Sequence, residues 1–93
     1  MLLIIEPFYG GSHKQLIDII TKGLNSKQYL VIQMKAKKWH WRARSSALWL
    51  SQNIPQNLDN FPVLFCSSVL NLCELVGLRP DLHSIRDIFH FSL

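Results

Sequence analysis

The sequence predicts an α/β domain built on a Rossmann-like parallel sheet, with elements in the order β-α-β-α-β-α-β. Three observations predict it. Short apolar runs of strand length recur along the chain. Between them lie stretches with apolar residues at helical spacing, and Gly, Pro or Asn separates the two patterns. Such alternation implies parallel strands, right-handed crossovers and helices on both faces.

Leu2 to Ile5 is a continuous apolar run, as expected of a strand buried on both faces, and Pro7 and Gly10-Gly11 are expected to end it. Ser12 opens a helix and pairs with Gln15 in a Ser-x-x-Gln capping box, with Leu16, Ile17, Ile19, Ile20 and Leu24 as its apolar face. Tyr29 to Met34 forms the second strand. A second helix carries the stripe Ala43, Ala47, Leu50 and Ile54 and stops at Pro55. The third strand runs from about Phe61 to Cys66. Ser67 or Ser68 caps the third helix, which has Val69, Leu72, Cys73 and Val76 on one side and Gly77 at its end. Arg79-Pro80-Asp81 is a turn, and Ile85 to Phe91 is the fourth strand.

Ninety-three residues make one small domain, and a hydrophobic content of 48% suffices for a packed core, which argues against disorder. The formal charge is only +4, but it is unevenly placed. No acid lies between Asp18 and Asp59, whereas Lys22, Lys27, Lys35, Lys37, Lys38, Arg42 and Arg44 all do. One-sided charge of this kind favours an anionic partner, a nucleic acid or a phosphate-bearing ligand. Cys66 and Cys73 have no neighbouring zinc ligands and read as buried free thiols. Without a basic n-region or a long apolar span, the chain is expected to be cytoplasmic, with the nucleus as a second compartment, and not membrane-bound.

In a parallel sheet every strand-to-helix loop opens beyond the strands' carboxyl ends, where ligands bind. That edge gathers residues 7–11, 35–41 and 66–68. Gly10-Gly11-Ser12 at a helix N-terminus allows a phosphate to approach the backbone closely, although a tight turn with a good cap explains the same residues without a ligand. His13, in the first helical turn, is the candidate catalytic residue, suited to bonding a sugar hydroxyl or to acid–base work; the competing reading is a solvated surface histidine. Lys37, Lys38, Arg42 and Arg44 interleaved with Trp39, His40 and Trp41 suit RNA, with cations for phosphates and rings for stacking. The alternative is a basic loop with its tryptophans tucked into the core. No catalytic carboxylate pair, Ser-His-Asp arrangement or metal cluster is evident.

The run from Glu6 to Gln15, Glu-Pro-Phe-Tyr-Gly-Gly-Ser-His-Lys-Gln, resembles the start of the tRNA-queuosine alpha-mannosyltransferases. Residues 36–44 with Ser46-Ala47-Leu48, residues 67–72, and residues 78–82 are similar to later blocks of that family, so the resemblance covers about residues 2 to 91. It implies a GT-B architecture of two Rossmann-like domains and retaining transfer of mannose from GDP-mannose to queuosine in a tRNA anticodon. No metal or cofactor is implied, the sugar nucleotide being a substrate. Residues 1–93 would be a partial, acceptor-side N-terminal domain, with the donor-binding C-terminal domain absent. By that resemblance Gly10, Gly11 and Ser12 face the donor phosphates and the basic, aromatic rim faces tRNA. His90 is two positions out of register with the family's Phe-His-Glu-Asn motif and takes no role. A chain of this length is expected to be inactive by itself and marginally stable, with a hydrophobic edge at its last strand. An RNA-binding module and an inactive truncated form are the alternatives.

Overall fold

Four strands and three α-helices alternate along the chain, in a computed structural model that describes residues 1–35, 39–67 and 70–91. The strands are β1 (Leu2–Tyr9), β2 (Tyr29–Lys35), β3 (Val63–Ser67) and β4 (Asp87–Phe91). The helices are α1 (Gly11–Lys22), α2 (Trp39–Asn53) and α3 (Leu72–Leu78), and a 3-10 turn, Pro80–Ser84, precedes β4. All pairings are parallel and the order is β2-β1-β3-β4, so the expected α/β parallel sheet is present.

The order contains a reversal. From β1 the chain steps outward to β2, then crosses back over β1 to reach β3. The carboxyl ends of β1 and β3 therefore flank a topological switch point, the place where open α/β sheets form a crevice.

Alternation along β1 assigns its side chains to faces. Leu3 and Ile5 point into the main core with Leu64 and Cys66 of β3, Ala47 and Leu50 of α2, and Leu75 of α3. Ile4 and Glu6 point the other way, towards α1, which packs on β1 and buries Ile17 there. Ile19 is 70% exposed, so it is not part of α1's buried face as its sequence position suggested. At the sheet's far side Ile88 and Phe89 remain exposed. Ala43, Val69 and Ser68, placed in helices or caps by the sequence, lie outside the described side chains.

Several boundaries differ from expectation, each for a physical reason. β1 continues through Pro7 to Tyr9, because a register shift between Glu6 and Tyr9 accommodates a residue that cannot donate to the ladder. Helix α1 starts at Gly11 with Gly10 as its N-cap, and no side chain caps it, so the Ser12–Gln15 capping box is not formed. Asn71, not Ser67 or Ser68, caps α3, its Oδ1 accepting from the Glu74 N–H at 3.0 Å. Gly77 lies within α3, and Arg79 follows the helix. Cys66 is buried as expected, and burial, with the Glu6 charge adding to it, pushes its thiol up to about 12. Cys73 is exposed, contrary to the sequence reading, because it sits on the outer side of α3.

The largest correction concerns Arg79, which is no simple turn residue. The residue is 8% exposed, and its guanidinium donates to the carbonyls of Ser51 (3.0 Å), Ile54 (2.8 Å) and Pro55 (2.7 Å) at the end of α2. Nε and Nη2 also donate to the Asp81 carboxylate at 3.0 and 2.7 Å. One planar fork thus satisfies the carbonyls at the C-terminus of α2 and ties that end to the segment leading into β4.

The same pair sets an acid limit. Hydrogen bonds from Arg79 hold the Asp81 carboxyl below its ordinary 3.8. A carboxyl depressed in the folded state contributes stability above its unfolded pKa and loses it as pH falls through the folded value. Stability is therefore expected to decline below about pH 4. Asp81→Asn should remove part of that decline in urea unfolding measured from neutral to acid pH. An identical acid profile in the variant would contradict this role.

Candidate functional site

The switch point is built around Glu6. Its side chain is 0% exposed, an unusual position for a carboxyl in a small domain. Three polar groups meet it. The register shift at Pro7 releases the Phe8 N–H from the ladder, and it donates to Glu6 Oε2 at 3.0 Å. Because Ile5 pairs with Cys66, Ser67 lies beside Glu6, and its hydroxyl donates to the same oxygen at 2.9 Å. Oε1 lies 2.9 Å from Nδ1 of His13.

His13 therefore belongs to the site and is not a solvated surface residue. Its side chain is 14% exposed, and the Phe8 ring stands edge-on to it, with centroids 6.1 Å apart and planes at 77°. Among the described residues Nε2 has no hydrogen-bond partner, yet it is not buried. The imidazole is thus anchored through one nitrogen and presents the other.

Gly10 and Gly11 carry the chain from β1 into α1. Gly11 has φ +55°, a left-handed conformation that a side chain disfavours, and a Cβ there would meet nothing within 4 Å. The glycine is thus required by its backbone angle, and the space it leaves is open. Gly11→Ala should cost about 1–3 kcal/mol through backbone strain alone. Gly11→Asn, which tolerates this conformation better, should cost clearly less in thermal or urea unfolding. Equal losses for both would mean that packing, not φ, sets the requirement.

A polar clip fixes the outer rim. The Tyr9 hydroxyl donates to Asp18 Oδ1, and Lys14 Nζ donates to Asp18 Oδ2 at 2.6 Å while lying 5.6 Å over the Tyr9 ring. These bonds hold the Asp18 carboxyl below its ordinary value and raise the Tyr9 hydroxyl, mainly through the hydrogen bond to Asp18. Being exposed, the clip orients β1 against α1 without adding much to stability.

The basic, aromatic rim is placed only in part. Trp39, His40, Trp41, Arg42 and Arg44 fall in the first turns of α2, which follows the carboxyl end of β2 and so shares this edge. Their side chains, and Lys37 and Lys38 altogether, lie outside the described residues. Among the described residues no group of three or more His, Cys, Asp or Glu could hold a metal ion, and no helix is long and apolar enough to cross a membrane. A shallow pocket near Met1, Leu24 and Pro62 lies at the strands' amino ends, opposite this cluster, and offers no comparable chemistry.

Residues 1–92 match the family model described as tRNA-queuosine alpha-mannosyltransferase N-terminal. The chain belongs to this family. It is 59% identical over 90 residues to the tRNA-queuosine alpha-mannosyltransferase of Drosophila melanogaster, covering 97% of this chain and 24% of that relative. The chain therefore spans about a quarter of the length of the mannosyltransferase it matches. No solved structure matches it. The family resemblance read from Glu6 to Gln15 thus lies on the residues that form the switch-point site.

Sequence reasoning placed His13, Gly10 and Gly11 at this edge, and Ser67 there mainly as a helix cap, but gave Glu6 no part in it. One signal was present: a carboxyl at the end of an otherwise apolar, doubly buried strand, immediately before a proline.

Proposed function

We propose that this chain is the acceptor-side N-terminal part of an enzyme that moves mannose from GDP-mannose to queuosine in tRNA. The observation that supports it best is a juxtaposition. The Gly10-Gly11 turn and His13 sit together at the sheet's switch point, in a chain matching that family's N-terminal model over residues 1–92. A GT-B arrangement fits this reading, with the switch-point edge facing a cleft closed by a second Rossmann-like domain that holds the nucleotide.

In the transfer, a bond forms between the mannose anomeric carbon and a queuosine hydroxyl oxygen, the bond from that carbon to the diphosphate oxygen breaks, and the hydroxyl proton passes to the departing diphosphate. Retention leaves the new bond on the face the diphosphate occupied. Negative charge develops on the departing diphosphate, which the backbone at Gly10, Gly11 and Ser12 is proposed to meet at the N-terminus of α1. His13 meets a hydroxyl of the sugar or of the acceptor. Lys37, Lys38, Arg42 and Arg44 are proposed to neutralise tRNA phosphates, with Trp39, His40 and Trp41 offering stacking faces.

The test is a chimera in which this chain replaces the matching 90-residue segment of the Drosophila relative. Incubated with GDP-mannose and queuosine-containing tRNA, it should form mannosyl-queuosine, whereas the 93-residue chain alone should form none. A well-folded chimera that binds the tRNA but never transfers the sugar would favour a bare RNA-binding module.

A further inference from the structure

We propose that Glu6 is a positioning residue that locks His13 in the Nδ1–H tautomer, so that Nε2 meets its ligand as a hydrogen-bond acceptor. The ligand class is a hydroxyl, as carried by a sugar ring or a ribose-like acceptor. The inference deepens the transferase reading, on which its catalytic consequence rests, while the tautomer itself is a property of this chain.

Donors and acceptors around Glu6 decide the tautomer. An ionised carboxylate offers only acceptors. Glu6 Oε2 already receives the Phe8 N–H and the Ser67 hydroxyl, and the Phe8 N–H cannot reverse its role. Oε1 then faces Nδ1 of His13 at 2.9 Å as an acceptor, and a neutral imidazole satisfies it only by carrying its proton on Nδ1. Nε2 is left with a lone pair, no partner among the described residues, and access to solvent. A group presented this way accepts a hydrogen bond from a hydroxyl; it does not donate to an oxygen. Burial makes the lock firm, since Glu6 cannot turn to water and its three partners come from β1, β3 and α1 together.

The isosteric amide gives a sharp contrast. In Glu6→Gln the single amide oxygen is drawn to the Oε2 position, where two donors wait. The amide NH2 must then face Nδ1, which has to accept, and the proton moves to Nε2. This is the inversion that an Asp→Asn change produces in a serine-protease triad.

Two-bond 15N–1H spectra of the 93-residue chain, recorded on the alkaline side of ordinary imidazole titration, report which nitrogen bears hydrogen. His13 should show a protonated Nδ1 and a bare Nε2, and Glu6→Gln should exchange the two patterns while the backbone amide spectrum stays native-like. A parent protein with His13 protonated on Nε2, or with both tautomers populated, overturns the proposal without any variant being needed. Were Glu6→Gln to fail to fold, the parent spectrum alone would still decide. In the chimera, Glu6→Gln should lower kcat by about 10²-fold or more with little change in the KM for tRNA. If the parent chimera never transfers mannose, the transferase reading fails while the tautomer result stands. If it transfers well and Glu6→Gln changes kcat less than about threefold, the positioning role fails alone.

Discussion

His13→Ala in the chimera should lower mannosyl transfer by about 10²- to 10⁴-fold, the usual range for removing a positioned acid–base or orienting group. The fold should survive, because the imidazole is not a core filler: its side chain is 14% exposed, and among the described residues its one polar partner is Glu6. Removing it leaves Glu6 with two donors, from Phe8 and Ser67, so the buried carboxyl is not stranded. His13→Gln is the useful companion, since it restores a polar group near Oε1 without an imidazole lone pair at the same place. It too should be slow. Parent-like turnover in either variant would remove His13 from the chemistry and leave it a structural neighbour of Glu6.

Arg79→Ala should destabilise the domain by about 1–3 kcal/mol, the cost of leaving buried acceptors without donors, while Asp81, 41% exposed, can turn to water. Domains of this size have about 5–15 kcal/mol in total, so the loss is a large share. The mechanism is specific. Three carbonyls at the end of α2, those of Ser51, Ile54 and Pro55, lose their donors at once, and Asp81 loses its cation. Arg79→Lys should recover little, because an ammonium group cannot reproduce the planar fork that reaches both the α2 carbonyls and Asp81. Urea unfolding reads both variants. A loss under about 1 kcal/mol for the alanine variant would show that water replaces the guanidinium without penalty.

Those two residues also show what could and could not be read in the sequence. The sheet was legible because Leu3, Ile4 and Ile5, and likewise Leu64 and Cys66, are fully buried, and burial on both faces produces continuous apolar runs. Helix α2 was legible from Ala47 and Leu50, with Ile54 just past its end, and all three enter the core at the predicted spacing. The Gly10-Gly11 turn was legible as a turn. Its cap was not, because Ser12 and Gln15 form the capping pattern only if the helix starts two residues later than Gly11.

The rest depends on register. Glu6 and Ser67 are 61 residues apart, and only the pairing of Ile5 with Cys66 brings them together. Nothing local to Ser67 distinguishes it from a helix cap. Arg79 reads as a turn residue because Pro80 and Asp81 follow it, whereas its carbonyl partners lie 24 to 28 residues upstream. Long-range polar contacts of this kind leave no periodic trace, so their residues are recognised only after the strands are paired.

The most direct test of the account is a structure of the chimera bound to GDP and a queuosine-containing anticodon stem-loop. The diphosphate should lie beside the Gly11 backbone, and a sugar or queuosine hydroxyl about 2.6–3.2 Å from His13 Nε2, with Glu6 still on Nδ1. Ligands bound instead at the strands' amino ends, near Met1, Leu24 and Pro62, with His13 untouched, would contradict it.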